Sequence, residues 1–428
     1  MTSRKRLSLD LTPLRTSRDF RLVFTGGVVT SFGSFISYVT IPYQVAKLTD
    51  DPLMVGLLGV CELAPLLIMA FVGGALADYL DRRLLVRGSE LALALVCGLL
   101  LINSLSAEPH LWLLYIAAFL TAAIAGLQRP ALEAMVPRLV TPEQLPATMA
   151  LQSLGAQFAQ LFGMPLAGIL LASVDLAWVY AIDLGTFVVS LICLTLVKAV
   201  PPPPAADRPS LSSVVTGLRY AKSRPELLGT YLVDINAMFF GMPSALYPFL
   251  AERLGGAGVL GLLYAAPAVG SLLATLGSGW TARVHRHGLM VLVAAAFWGV
   301  GITGVGLSHT LWFTLFCLAF AGAADMISGI FRMTLWNQTI PDHLRGRLAG
   351  IEMLSYTTGP LTGQLRSGLM ARTSLGVPGA IWMGGVFCVA GCAVLGALLP
   401  KLVSYDGEHG MALKKAADEE WAASAAAR

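Results

Sequence analysis

Charge is what this sequence has least of. Lys, Arg, Asp and Glu make up 13% of its 428 residues, against about 25% in soluble domains, while hydrophobic residues reach 56%. A soluble chain could not cover that much apolar surface with so little charge, so a set of ordinary soluble domains is excluded. The six His residues are scattered, and all six cysteines (Cys61, Cys97, Cys193, Cys317, Cys388, Cys392) fall inside apolar runs. Disulfides and a thiolate-bound zinc are therefore not expected. Cys388 and Cys392 share a helix face, but no His or carboxylate is near them in sequence, and no metal or other cofactor is expected. Neither HExxH nor GxSxG occurs, and no G-x-x-x-x-G-K-[ST] loop is present to bind ATP. An enzyme and an ATP-driven pump lose their usual signatures. The net charge of +4 is spread over short pieces between apolar runs, which is unlike a nucleic-acid-binding face and points to a lipid bilayer as the partner instead.

Long apolar stretches are what the sequence has in place of these. A crossing helix needs roughly 20 apolar residues, and runs of that kind lie near 20–46, 53–77, 84–105, 110–128, 146–172 and 177–199, then near 227–251, 258–282, 289–307, 311–332, 348–371 and 378–399. The basic N-terminal segment is followed by an apolar run without a small-residue cleavage site, so it is expected to lead into a first span rather than form a signal peptide. If the N-terminus is cytoplasmic, 25 of the 29 Lys and Arg residues fall in inside segments, as the positive-inside rule requires. A missed or extra helix would invert every later loop, so twelve spans with both termini cytoplasmic is the consistent solution. The expected divisions are a cytoplasmic segment 1–19, a six-helix bundle 20–200, a Pro-rich cytoplasmic linker 201–226 with a surface helix at 210–223, a second six-helix bundle 227–400, and a cytoplasmic tail 401–428 extending into solvent.

The halves repeat one another. Gly74 in "GGALADYLDRR" and Gly279 in "GSGWTARVHRHG" are 205 residues apart. Pro142-Glu143-Gln144-Leu145 recurs 199 residues later as Pro341-Asp342-His343-Leu344, and Pro165-Leu166-Ala167-Gly168 recurs after 195 as Pro360-Leu361-Thr362-Gly363. Three pairs at nearly one offset indicate duplicated six-helix halves, the arrangement in which transporters place a substrate path between repeats.

The loop "GGALADYLDRR" resembles the loop-two motif of the major facilitator superfamily, with Gly74, Leu76, Asp78, Arg82 and Arg83 at matching positions. Longer stretches such as "WVYAIDLGTF" and "ALYPFLAERL" are similar to a siderophore-exporting branch of that family. The resemblance implies an all-α membrane protein of twelve transmembrane helices in two pseudo-symmetric bundles, acting as a monomer. It also implies a cytoplasmic gate in which Gly74, Asp78, Arg82 and Arg83 latch the halves in one state of the cycle, and export of a small molecule from the cell across the inner membrane. Asp81 stands where many members have Gly, and Arg283 replaces the second copy's Asp, so only one latch is complete.

Buried charge singles out the coupling candidates, because a charge at mid-bilayer costs about 2.5–3.5 kcal/mol even on lenient scales. Glu62 lies roughly 13 Å into the second span and Asp234 roughly 11 Å into the seventh. Each could exchange a proton with the cycle or simply bond a neighbouring helix. Asp325 and Arg332 share a face of span ten and are expected to pair. Gln157 and Gln160 in span five, Asn236, Phe239 and Phe240 in span seven, and Arg366 in span eleven are candidates for a substrate path. Arg366 could instead snorkel outwards. Together with the resemblance, which alone favours export over uptake, these readings imply a proton-coupled exporter of a siderophore or drug-like molecule. A nutrient symporter is the nearest alternative, and a non-transporting membrane sensor is the alternative from another class.

Overall fold

A computed structural model describes residues 10–79, 81–198, 219–220, 222–341, 344–408, 410–412, 414–415 and 418–419. For 70–79, 346–347 and 349–350 it describes the backbone alone. Its long helices are α1 (Arg18–Thr49), α2 (Pro52–Tyr79), α3 (Arg82–Leu105), α4 (Leu111–Met135), α5 (Leu145–Ser173) and α6 (Leu176–Thr195), followed by a broken helix, α7a (Pro225–Gly241) and α7b (Tyr247–Leu254). Then come α8 (Ala257–Leu276), α9 (His287–Leu307), α10 (Leu311–Thr339), α11 (Arg345–Ala371) and α12 (Gly376–Leu398), with a one-turn α13 (Pro400–Val403). Counting α7a and α7b as one crossing gives twelve. The linker, with most of the expected surface helix at 210–223, lies outside the described residues.

Local chemistry sets the breaks. Asp81 caps α3 by accepting from the Arg83 amide at 2.9 Å, which meets one orphan donor of a helix start. Between α1 and α2 the turn is made by Asp50 at φ +47°, a conformation Asp tolerates better than bulkier residues. Asp51 then accepts from the Leu53 amide at 3.0 Å to start α2. α7a ends at Gly241 and is followed by Pro243, which cannot continue the amide ladder. The Trp298 ring packs directly against the place where a Gly241 Cβ would stand.

Among the described residues, ten helices are long and apolar enough to span a bilayer by length and composition. The remaining crossings are those of α7a/α7b and α11. α7a has only 17 residues, and α11 carries Arg345, Arg347, Glu352 and Arg366 in its sequence.

The chain divides into two compact units, Met1–Ile41 with Ile68–Arg208, and Pro42–Leu67 with Pro209–Arg428. The core of the first includes Phe20, Val86, Ala131, Met135 and Leu151. In the second, residues 42–67 form a helical hairpin packed on α11. A Cβ on Gly56 would stand 2.7 Å from the Gln364 carbonyl oxygen, and one on Gly368 2.6 Å from that of Pro52. These contacts run antiparallel, 52 against 368 and 56 against 364. A repeat in sequence holds no information about where this hairpin packs, so the expected bundle 20–200 does not mark it out. The expected solvent-exposed tail is corrected at its start: Leu402 and Tyr405 are buried, with Leu402 against Gly229 and Gly288.

Candidate functional site

The short, broken α7a and the polar α11 bring buried polar groups together in the second unit. Asp234, 3% exposed, forms an ion pair with Arg332 of α10 and accepts a hydrogen bond from the Ser355 hydroxyl of α11 at 2.8 Å. Arg332 also faces the half-buried Asp325 at 3.5 Å. One guanidinium thus answers two carboxylates, and three helices are tied at one point. Local spacing pairs Asp325 with Arg332; only packing brings Asp234 and Ser355 to them.

Arg366 is held differently. Its Nε donates to the Phe239 carbonyl at 3.1 Å and its Nη2 to the Phe240 carbonyl at 2.5 Å, with Nη1 3.4 Å from the Ala380 carbonyl. The break after Gly241 orphans the last carbonyls of α7a, and the Arg fork meets two of them, with the favourable sign for a helix C-terminus. Asn236 donates to the Cys388 carbonyl at 3.1 Å, joining α7a to α12. Phe239 and Phe240 are half-buried and meet edge to face, their centroids 4.9 Å apart.

Glu62 is half-buried on α2, with no hydrogen-bond or ion-pair partner among the described residues. The hairpin register sets it level with Thr358 of α11. In the first unit Gln157 is exposed and donates to Ser153 at 3.2 Å, and Gln160 is half-buried. Of the loop motif, the Gly74 and Asp78 side-chain positions lie outside the described residues. Arg82 and Arg83 donate to the carbonyls of Ala134 at 3.0 Å and Thr195 at 2.8 Å. They thereby meet the C-terminal ends of α4 and α6.

Sequence reasoning passed over Glu90, Glu352, Ser355 and Tyr231. Glu90 on α3 is 3% exposed and accepts from Thr30 at 3.3 Å. The depth argument that selects Glu62 also applies to Glu90 and Glu352; Ser355 and Tyr231 carry no signal of their own. Asp183, also in the first unit and 1% exposed, accepts from Ser37, from Thr186 at 3.3 Å and from the Cys97 thiol at 3.6 Å.

A helical chain with ion-paired acids inside its crossings and no soluble domain among its described residues is built as a secondary transporter. The "Transmembrane secretion effector" family model matches residues 8–421, and the chain belongs to that family. It is 31% identical over 367 residues to the "Enterobactin exporter EntS" of Citrobacter koseri, covering 83% of this chain and 86% of the relative. It is 30% identical to the protein of that name from Escherichia coli UTI89, with the same coverage. Among solved structures, the nucleoside transporter NupG (D323A mutant) aligns with a TM-score of 0.70 at 10% identity, covering 88% of this chain and 99% of that one. A bacterial homologue of the iron transporter ferroportin, in an inward-facing state, aligns at 0.68 and 16%, covering 91% and 99%. These structures establish the twelve-helix major facilitator fold. The chain is a multi-pass membrane transporter, with a small molecule as its substrate.

Proposed function

We propose that the chain exports a siderophore across the inner membrane by alternating access, in exchange for protons, and that Asp234 is the acid that carries the proton. The observation behind this is the buried Asp234–Arg332 pair, steadied by Ser355, where α10 meets the two crossings least suited to lipid. Protonating Asp234 would cancel its charge and release Arg332 towards Asp325; deprotonation would restore the pair. That gives two discrete arrangements whose balance a proton shifts. The names of the curated relatives support siderophore export, and the distribution of Lys and Arg supports cytoplasmic termini. Phe239, Phe240, Gln157 and Gln160 remain the substrate-path residues. Asn236 and Arg366 have helix-joining partners that account for their polarity. Glu62, without a partner among the described residues, is the second coupling acid to test, and Gly74, Asp78, Arg82 and Arg83 form the cytoplasmic gate in a monomer.

Everted inner-membrane vesicles test this with enterobactin as the probe. Acidifying the lumen should drive its uptake, a protonophore should abolish that uptake, and Asp234→Asn should remove the dependence on the pH gradient. Gradient-driven uptake that survives Asp234→Asn would overturn the assignment of the coupling acid.

A further inference from the structure

α7a and α11 run parallel with a fixed register. Ser355 meets Asp234; a Gly359 Cβ would stand 2.8 Å from that of Met238, and a Gly363 Cβ 3.1 Å from that of Met242. Each pair differs by 121 residues. Three residues before Asp234 and Ser355, the same offset sets Tyr231 opposite Glu352. Tyr231 is 4% exposed and its hydroxyl is buried without a hydrogen-bond partner among the described residues. Its ring is fixed against Trp336 at 5.6 Å, whose Nε1 is already committed to Thr230 at 2.8 Å. Glu352 is half-buried and close enough to act electrostatically on Tyr231. Buried hydroxyls are normally satisfied, so an open one facing Glu352, three residues before Asp234 on the same helix, is the kind of exception that calls for a function.

We propose that Glu352 relays protons between Asp234 and water at the N-terminal ends of α7a and α11, with the Tyr231 hydroxyl as the bridge. This rests on Asp234 being the proton-carrying acid. In the releasing direction the O–H bond of the Asp234 carboxyl breaks, and its electron pair stays on the carboxylate, which pairs with Arg332. The Tyr231 oxygen takes that proton as its own passes to the Glu352 carboxylate, and Glu352 then gives one proton to water. Tyrosine ends unchanged, and one proton has moved about one helical turn. The charged and titratable groups around this stretch are Arg332 and Asp325 from α10, Glu62 from α2 on the far side of α11, Arg345 within α11, and Arg224 and Glu226 at the head of α7a. The positive-inside count assigns that end to the cytoplasm.

Time-resolved infrared spectroscopy after an acid jump, on the full chain in liposomes and without substrate, tests the relay. A carboxylic C=O band that disappears in Asp234→Asn reports protonation of that residue. Glu352→Gln and Tyr231→Phe should slow its rise by about a hundredfold, the lower end of a general acid–base contribution, and Glu352→Asp should restore most of the rate. If Glu352→Gln does not fold, Tyr231→Phe decides by the same criterion. An Asp234 band that rises at the wild-type rate in these variants overturns the relay and leaves Asp234 as the coupling acid. A wild-type chain with no Asp234 band overturns both.

Discussion

Asp183 in the first unit and Asp234 in the second are the same residue type, each almost wholly buried within a crossing helix, yet their surroundings differ in kind. Asp183 is met by two hydroxyls and a thiol, and Glu90 by the Thr30 hydroxyl; among the described residues no cation pairs with either. Asp234 is met by a guanidinium and a hydroxyl. Hydroxyls and thiols can turn to serve either protonation state, so the first unit's acids hold helices together whichever form they take. A guanidinium only donates, and answers only the charged form. A proton arriving at Asp234 therefore changes what Arg332 binds, whereas one arriving at Asp183 only rearranges hydrogen bonds. Both residues are buried within crossing helices; on the proposed reading, the partner separates a switch from a clamp.

The sharpest way to break this comparison is to remove the guanidinium. Arg332→Met leaves Asp234 and Asp325 without their cation, and loss of one partner of a buried pair costs about 3–5 kcal/mol. Transport should be lost, and thermal unfolding should fall well below that of a chain also carrying Asp234→Asn. If Arg332→Met unfolds like the wild type, the pair is not what ties α7a, α10 and α11. A smaller effect is expected at the hairpin. Gly59→Leu places a side chain against the Leu361 carbonyl, and overpacking of this kind costs about 1–3 kcal/mol. Cys61, half-buried two residues on, should then react faster with maleimide; an unchanged rate would mean the hairpin does not depend on that close approach. Asp183→Asn should cost less, about 1 kcal/mol for one imperfectly replaced hydrogen bond. Asparagine keeps one acceptor, and the Ser37 hydroxyl can turn to accept from its amide. Transport should persist with its pH dependence intact; loss of coupling there would erase the distinction between the two acids.

Much of the fold is legible in the sequence because lipid imposes one rule on every crossing. Apolar runs, the Lys and Arg asymmetry and the internal repeat each report on that rule independently. The site is legible only where a residue breaks it. Asp234 stands out by depth, and Arg332 by its spacing from Asp325 along one helix. Their meeting depends on how α7a, α10 and α11 pack, which leaves no local trace. Arg366 shows the same limit from the other side. A buried cation reads equally as an anion receptor or as a cap for carbonyls orphaned elsewhere. Gly241 and Pro243 announce the break, but not which side chain, some 126 residues further on, completes it. Ser355 is one serine among many until the offset of 121 between two helices is known.

The smallest effect is expected where charge is most visible. Arg372 and Asp51 are 3.4 Å apart, with the Arg side chain 53% exposed, and Lys47 and Glu252 are also 3.4 Å apart with both side chains more than half exposed. Both pairs bind the hairpin to the rest of the second unit, and by contact geometry they resemble the Asp325–Arg332 pair. Solvent makes the difference. In water the Coulomb gain is screened, and ordering two long side chains costs entropy, so such pairs contribute about 0–1 kcal/mol. Asp51 has a second task, capping the start of α2, so truncation of Arg372 isolates the ion pair where truncation of Asp51 would not. Arg372→Ala should shift the unfolding midpoint by no more than a degree or two, about 0.5 kcal/mol, and raising the salt concentration should have little further effect on the variant while slightly weakening the wild type. A loss near that of Arg332→Met would show that the hairpin end is shielded from solvent. Burial would then no longer account for the contrast between the two kinds of pair.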